Sequence, residues 1–113
     1  MNIKSYSFGK MVVDGQAYKS DLIIYPDKIN SSWWRKEGHL VQSKDLSDIL
    51  AVNAEVLIIG TGYFGLMKVP DELRKELIGR NIELYIEKTS RAVEIFNSIN
   101  IKKMTIAAFH LTC

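Results

Sequence analysis

The 113-residue chain reads as a single α/β domain: a central, mostly parallel sheet flanked by helices, with an additional N-terminal β-hairpin layer. Three observations carry that reading. The run Val56-Leu57-Ile58-Ile59 shows no polar alternation, which predicts a strand covered on both faces. From there to the C-terminus, strand-like and helix-like stretches alternate, and right-handed crossovers turn such a pattern into parallel strands with helices packed on them. Before it, from Ile3 to Tyr25, only short strand patterns separated by turn residues occur.

In order along the chain, Ile3, Tyr6 and Phe8 lead through Gly9 into Met11-Val12-Val13, and Asp14-Gly15 marks a tight turn before Ala17 and Tyr18. A hairpin is the economical interpretation. Asp21 to Tyr25 is a further strand, stopped by Pro26. Asp27 to Gln42 has no usable period and is the longest loop, which makes it the first suspect for recognition. Ser43 is expected to cap a helix over Lys44 to about Asn53, with Leu46, Ile49 and Leu50 on one face. The central strand comes next. Pro70 then opens a helix to Ile78 that Gly79 should stop, Ile82 to Ile86 forms a strand, and Thr89 caps a helix turning Ala92, Val93 and Phe96 inward. Asn97 to Asn100 ends that helix, and Met104 to Phe109 closes the chain as another buried strand.

The central strand empties into Gly60-Thr61-Gly62-Tyr63-Phe64-Gly65, a literal G-x-G-x-x-G match, with Glu87 ending the next apolar run where a ribose-binding acid would stand. In a dinucleotide site, however, the helix begins inside the glycine motif so that its amides face the pyrophosphate. Here Leu66-Met67-Lys68-Val69 intervenes. A structural turn that lets backbone approach backbone is the better reading, and no cofactor is expected.

Composition narrows the function. Fifteen basic and thirteen acidic side chains leave a net charge of +2, with the basic residues scattered, which argues against nucleic-acid and anionic-membrane partners. The lone Cys113 excludes an internal disulfide framework. With no signal peptide or bilayer-length apolar run, a cytoplasmic location is the expectation.

Six stretches together resemble the adipogenesis-associated domain family, found in archaea, bacteria and eukaryotes. They are Tyr18-Lys19-Ser20-Asp21, Trp34-Arg35 with Gly38-His39, Ile59-Gly60-Thr61-Gly62, Lys68-Val69-Pro70, Thr89-x-x-Ala92-x-x-x-Phe96-Asn97 and Phe109-His110-Leu111-Thr112-Cys113. The likeness spans almost the whole chain. It implies a three-layer fold with a mixed central sheet, so one strand read here as parallel is expected to run the other way. A more distant branch comprises mitochondrial complex I assembly factors, but it lacks the Phe-His-x-Thr-Cys ending, and the cytoplasmic branch is nearer. The resemblance implies protein–protein interaction in regulation rather than a reaction.

Two groups of candidate residues follow. Parallel crossovers bring strand C-terminal ends to one edge, gathering Gly60, Thr61, Gly62, Thr89, His110 and Thr112 in a crevice suited to a small anion. There Gly62→Val should fill the approach yet leave the fold formed, provided Gly62 needs no positive φ. The second group is Trp33, Trp34, Arg35 and His39, a protein-interaction candidate in which alternation buries one tryptophan and exposes the other. His110 and Cys113 could pair as imidazole and thiol, but only His39 remains to complete a metal site, and no orienting carboxylate can be named from spacing. Neither a metal site nor a catalytic residue is therefore assigned. The sequence thus points to a non-enzymatic protein-interaction or assembly module, binding a protein partner or a second copy. The alternative is a small-anion or metabolite binder, with or without catalysis, that uses the glycine-rich crevice.

Overall fold

A computed structural model describes all residues, 1–113. Strands β1 (Ile3–Ser7), β2 (Lys10–Val13) and β3 (Gln16–Tyr18) form an antiparallel sheet in that order. Asp14 and Gly15 both have positive φ, 48° and 83°, the combination of a two-residue hairpin turn whose twist matches the flanking strands. The main sheet contains β4 (Leu22–Ile24), β5 (Ile29–Asn30), β6 (Val56–Thr61), β7 (Glu83–Glu87) and β8 (Thr105–His110), in the order β5-β4-β8-β6-β7. β6 runs parallel to both β7 and β8, while β4 is antiparallel to β8. The reversed strand is thus β4, because the chain enters it from the N-terminal meander and not through a helical crossover.

Side-chain alternation in the sheet builds two cores. Val56 and Ile58 of β6, Ala107 and Phe109 of β8, and Leu22 and Ile24 of β4 face one side, where they meet Ile3, Met11 and Val13 of the small sheet and Ala92 and Phe96 of α3 (Thr89–Ile99). Leu57, Ile59, Ile106, Ala108 and Ile23 face the other side, against Leu73 and Leu77 of α2 (Asp71–Gly79) and against Trp33, Val41, Leu46 and Ile49. Every residue of β6 and β8 is buried. This explains the unbroken apolar runs Val56-Leu57-Ile58-Ile59 and Ile106-Ala107-Ala108-Phe109 within them, with each Leu, Ile or Val contributing about 1.5–3 kcal/mol through burial. The result is three layers: α2 with the long loop, the main sheet, and α3 beside the hairpin sheet.

Four local expectations change. The stretch from Asp27 to Gln42, read as one loop, contains β5, which pairs with Ile23 and Ile24 of β4. The segment after Gln42 is a 3₁₀ turn, Ser43–Leu46, followed by a single α-turn, α1 (Ser47–Leu50). Asp45 N donates to Gln42 O at 2.9 Å and Gln42 N to the Asp45 carboxylate at 2.8 Å, so Gln42 stands at the cap while Ser43 Oγ donates to Glu76. Gly79 does not stop α2 but is its last residue; the left-handed conformation that follows falls on Asn81, φ 61°. Thr89 is the first helical residue of α3, behind Lys88 at the cap, and its hydroxyl is engaged elsewhere.

Candidate functional site

Asp21 precedes β4 and His110 ends β8. Because these strands pair antiparallel, with Leu22 opposite Phe109, Asp21 and His110 face one another across the ladder. Asp21 Oδ2 lies 2.7 Å from His110 Nδ1 and accepts from Arg35 NH2 at 2.7 Å, while Oδ1 accepts from Leu111 N at 2.8 Å. A carboxylate only accepts, so Nδ1 carries the hydrogen, and the 3.3 Å approach of Arg35 NH2 to that nitrogen is two donors converging on one oxygen. Arg35 NH2 also donates to Gly38 O at 2.9 Å, and the guanidinium lies 4.4 Å over the Trp33 ring. His39 stacks edge-on against His110 with ring centroids 5.6 Å apart. Burial pushes the Asp21 carboxyl up, but hydrogen bonds from His110, Leu111 N and Arg35 together outweigh it and hold the group below its ordinary value.

Sequence reasoning divides these residues between two sites and leaves out Asp21, the group that joins them. The signal available was an acidic residue at the mouth of a buried strand. An Asp-held imidazole has the orientation of a general base. Here, however, His110 Nε2 is buried and reaches no hydroxyl, thiol or other partner in the protein, and the same holds for Arg35 Nε and NH1. No three His, Cys, Asp or Glu side chains converge as metal ligands. The cluster is a clasp that ties the long loop, β4 and the end of β8 together.

The glycine-rich crevice does assemble, and the protein itself fills it. Thr89 Oγ1 accepts from Gly62 N at 2.9 Å and donates to His110 O at 2.7 Å, and Thr89 N donates to Gly62 O at 3.1 Å. Thr61 Oγ1 donates to Glu87 O at 3.1 Å. Tyr63 N donates to Thr112 O at 2.7 Å and Leu66 N to Cys113 O at 2.9 Å. Both leading glycines are needed for close approach. A Cβ on Gly60 would stand 2.8 Å from Thr89 Oγ1 and from the Phe109 ring, and one on Gly62, where φ is +106°, would stand 2.5 Å from Cys113 C. Gly62 therefore does have the positive φ on which the Gly62→Val expectation was conditional.

Of the second group, Trp33 is 6% exposed and Arg35 8%, whereas Trp34 is 75% exposed. The tryptophan pair divides as strand-like alternation expects. Trp33 Nε1 donates to Asp45 O at 3.1 Å, and Trp34 lines a groove with Lys36 and Lys44. A larger aromatic surface lies elsewhere. Phe8 from the β1–β2 turn and Tyr63 and Phe64 from the glycine loop are 50%, 47% and 58% exposed, with ring centroids 5.1–6.1 Å apart, and Leu66 stands on the same loop. Tyr6 backs the patch, its ring 6.3 Å from Tyr63; burial pushes its phenol up to about 12, and its hydroxyl donates to Leu111 O at 2.8 Å. The signal in the sequence was bulky apolar residues inside glycine-bounded turns, where polar ones are usual.

Comparison with known proteins gives a consistent family and fold. Residues 3–111 match the family model described as "Protein of unknown function (DUF498/DUF598)". The conserved hypothetical protein PH1505 from Pyrococcus horikoshii OT3 is 26% identical with a TM-score of 0.84, and the match covers all of both chains. A Bartonella henselae protein described as an outer membrane protein is 25% identical with a TM-score of 0.81, over 98% of this chain and 94% of the other. A Bordetella pertussis protein described as a Mth938-like domain shares the fold alone, at 14% identity and a TM-score of 0.69 over 97% and 85% of the two chains. No helix of the present chain is long and apolar enough to cross a membrane.

Proposed function

The chain belongs to the DUF498/DUF598 family of proteins of unknown function, and from that premise we propose that it works as a non-enzymatic protein-interaction module. The observation that supports this reading is the Phe8–Tyr63–Phe64 patch. Three half-exposed rings in mutual contact form a contiguous apolar surface of the kind that marks interaction sites. The loops that carry it are pinned. Gly9 N donates to Leu111 O at 2.9 Å, and Tyr63 N and Leu66 N bond to the last two carbonyls of the chain, so little ordering entropy is left to lose on binding. Trp34 offers a second exposed anchor on the long loop. Small-anion binding in the crevice has less support, because Gly62 N, Thr89 N and the hydroxyls of Thr61 and Thr89 already have partners within the protein.

At the finer level, the Phe109-His110-Leu111-Thr112-Cys113 ending favours a place beside the cytoplasmic branch of the adipogenesis-associated domain family over the complex I assembly factors. The experiment is affinity capture from lysate with the parent protein and with Phe8→Ser and Phe64→Ser variants, alongside sedimentation. Partners lost from both variants, with unchanged melting temperature, support the reading. A strict monomer at high concentration whose captured proteins are indifferent to both substitutions overturns it.

A further inference from the structure

The main sheet ends on one side at β5, two residues long, and on the other at β7, a full-length edge. Glu83 N donates to Glu55 O at 3.0 Å, and this sets the parity of the parallel ladder: Glu83, Tyr85 and Glu87 turn their backbone groups toward β6. Leu84 and Ile86 therefore point their N–H and C=O groups out of the sheet, where no strand lies beside them. Their side chains are also only partly buried, whereas those of the doubly paired β6 and β8 are wholly so.

Grooves flank this edge on both sides. One lies against α3 beside Tyr85, Arg91, Ile95 and Lys102, and the other lies toward α2 beside Ile86, Lys68, Arg74 and Lys88. Their linings hold five cations, Lys68, Arg74, Lys88, Arg91 and Lys102, against two anions, Glu87 and Glu94. Lys68, Lys88 and Lys102 make no ion pair, and Arg74 and Arg91 make only long ones of 3.9 Å. A second copy is a poor occupant. Two β7 strands paired antiparallel about Tyr85 would set Glu83 opposite the copy's Glu87 and bring like cationic rims together.

The far end of the edge runs into the aromatic surface. Gly65, next to Phe64, packs so closely on Lys88 that a Cβ there would stand 3.1 Å from Lys88 Cγ. The Lys88 end of the edge therefore lies beside the glycine loop that carries Phe64 and Leu66.

We infer that β7 accepts an extended acidic segment of a partner protein as an added strand, bonded to the outward backbone of Leu84 and Ile86. Carboxylates of that segment meet Lys68, Lys88 and Lys102, and its apolar end lies on the aromatic patch. The inference rests on the interaction reading above and gives the partner its chemistry.

The test uses two synthetic peptides, one alternating valine with glutamate and the other valine with lysine, titrated into the full chain while backbone amides are followed by NMR. The expected result is that the glutamate peptide shifts the Leu84 and Ile86 amides and slows their hydrogen exchange, and that the lysine peptide does neither. Lys102→Glu and Lys88→Glu should each weaken binding several-fold, and together at least about tenfold, with weakening also in high salt. Should Lys88→Glu lower the melting temperature, Lys102→Glu alone, lying in an exposed turn, decides. Silent Leu84 and Ile86 amides, or equal responses to the two peptides, overturn the inference. So does protection of those amides that grows with protein concentration alone, which would give the edge to a second copy. The two proposals fail separately. Partners captured through Phe8 and Phe64 while β7 stays silent overturn only the β7 inference, and a glutamate-peptide response at β7 in a protein that captures nothing overturns only the patch.

Discussion

Asp21 holds three donors with one carboxylate: His110 Nδ1, Arg35 NH2 and Leu111 N. Removing that acceptor leaves a buried guanidinium and imidazole facing an amide, and breaking a largely buried ion pair in this way costs about 3 kcal/mol. Asp21→Asn should therefore lower unfolding stability by about that amount in denaturant titration; a loss below about 1 kcal/mol would mean that the clasp is dispensable. The pH dependence has a definite sign. Asp21 titrates lower in the folded state than its ordinary 3.8, so the folded protein binds its proton more weakly than the unfolded chain does. The stabilisation is complete above the ordinary value and drains away as pH falls through it toward the folded value. In acid melts, Asp21→Asn should show a flatter loss of stability than the parent across that window. Gly62 is the second residue on which the fold turns. Its φ is +106°, and a Cβ added there would meet Cys113 C at only 2.5 Å. Gly62→Ala should therefore cost at least about 2 kcal/mol by calorimetry, and Gly62→Val more, so neither substitution can report on a ligand without first disturbing the C-terminal residues.

Among the elements, those with strong periodicity were legible and those fixed by tertiary bonds were not. β6, β8 and α3 follow from their apolar spacing, and the Asp14-Gly15 turn from its residue types, because in each case local chemistry and long-range packing agree. The segment after Gln42 has the apolar spacing of a longer helix. Its Leu46 and Ile49 are indeed buried, but the Gln42–Asp45 bonds tighten its start into a 3₁₀ turn, and the α-turn ends at Leu50. The resemblance implies one reversed strand without saying which, since no strand's residues record their direction, and the structure shows it to be β4. Glycine is the usual left-handed terminator and points to Gly79 as the end of α2, whereas Asn81 takes that role. A prediction follows. Gly79 is helical, and a Cβ there would meet nothing within 4 Å, so Gly79→Ala should stabilise the protein by about 0.5–1 kcal/mol. A measured loss in the same denaturant titration would show that the helix needs glycine at its end after all.

At the scale of the molecule, the exposed interaction candidates Phe8, Tyr63, Phe64 and Trp34 lie outside both cores. The candidate site was legible only in pieces. Glycine spacing located the loop, and the Trp-Arg and terminal His motifs marked members of the clasp without joining them, but Phe8 and the Tyr63-Phe64 pair are far apart in sequence and become one surface only when the hairpin sheet docks beside the end of β8. Phe109 and Phe64 provide the contrast. Phe109 is fully buried, edge-on to Phe96 at 6.3 Å, and Phe109→Ala should cost about 3–5 kcal/mol through lost transfer energy and the cavity left behind. Phe64 is 58% exposed and touches chiefly Phe8 and Tyr63, so Phe64→Ser should change stability by no more than about 0.5–1 kcal/mol while removing binding through the patch. Parallel denaturant titrations of the two variants check this separation. If Phe64→Ser proves as damaging as Phe109→Ala, the patch is a satellite core that holds the glycine loop in place, and its exposure no longer argues for a partner.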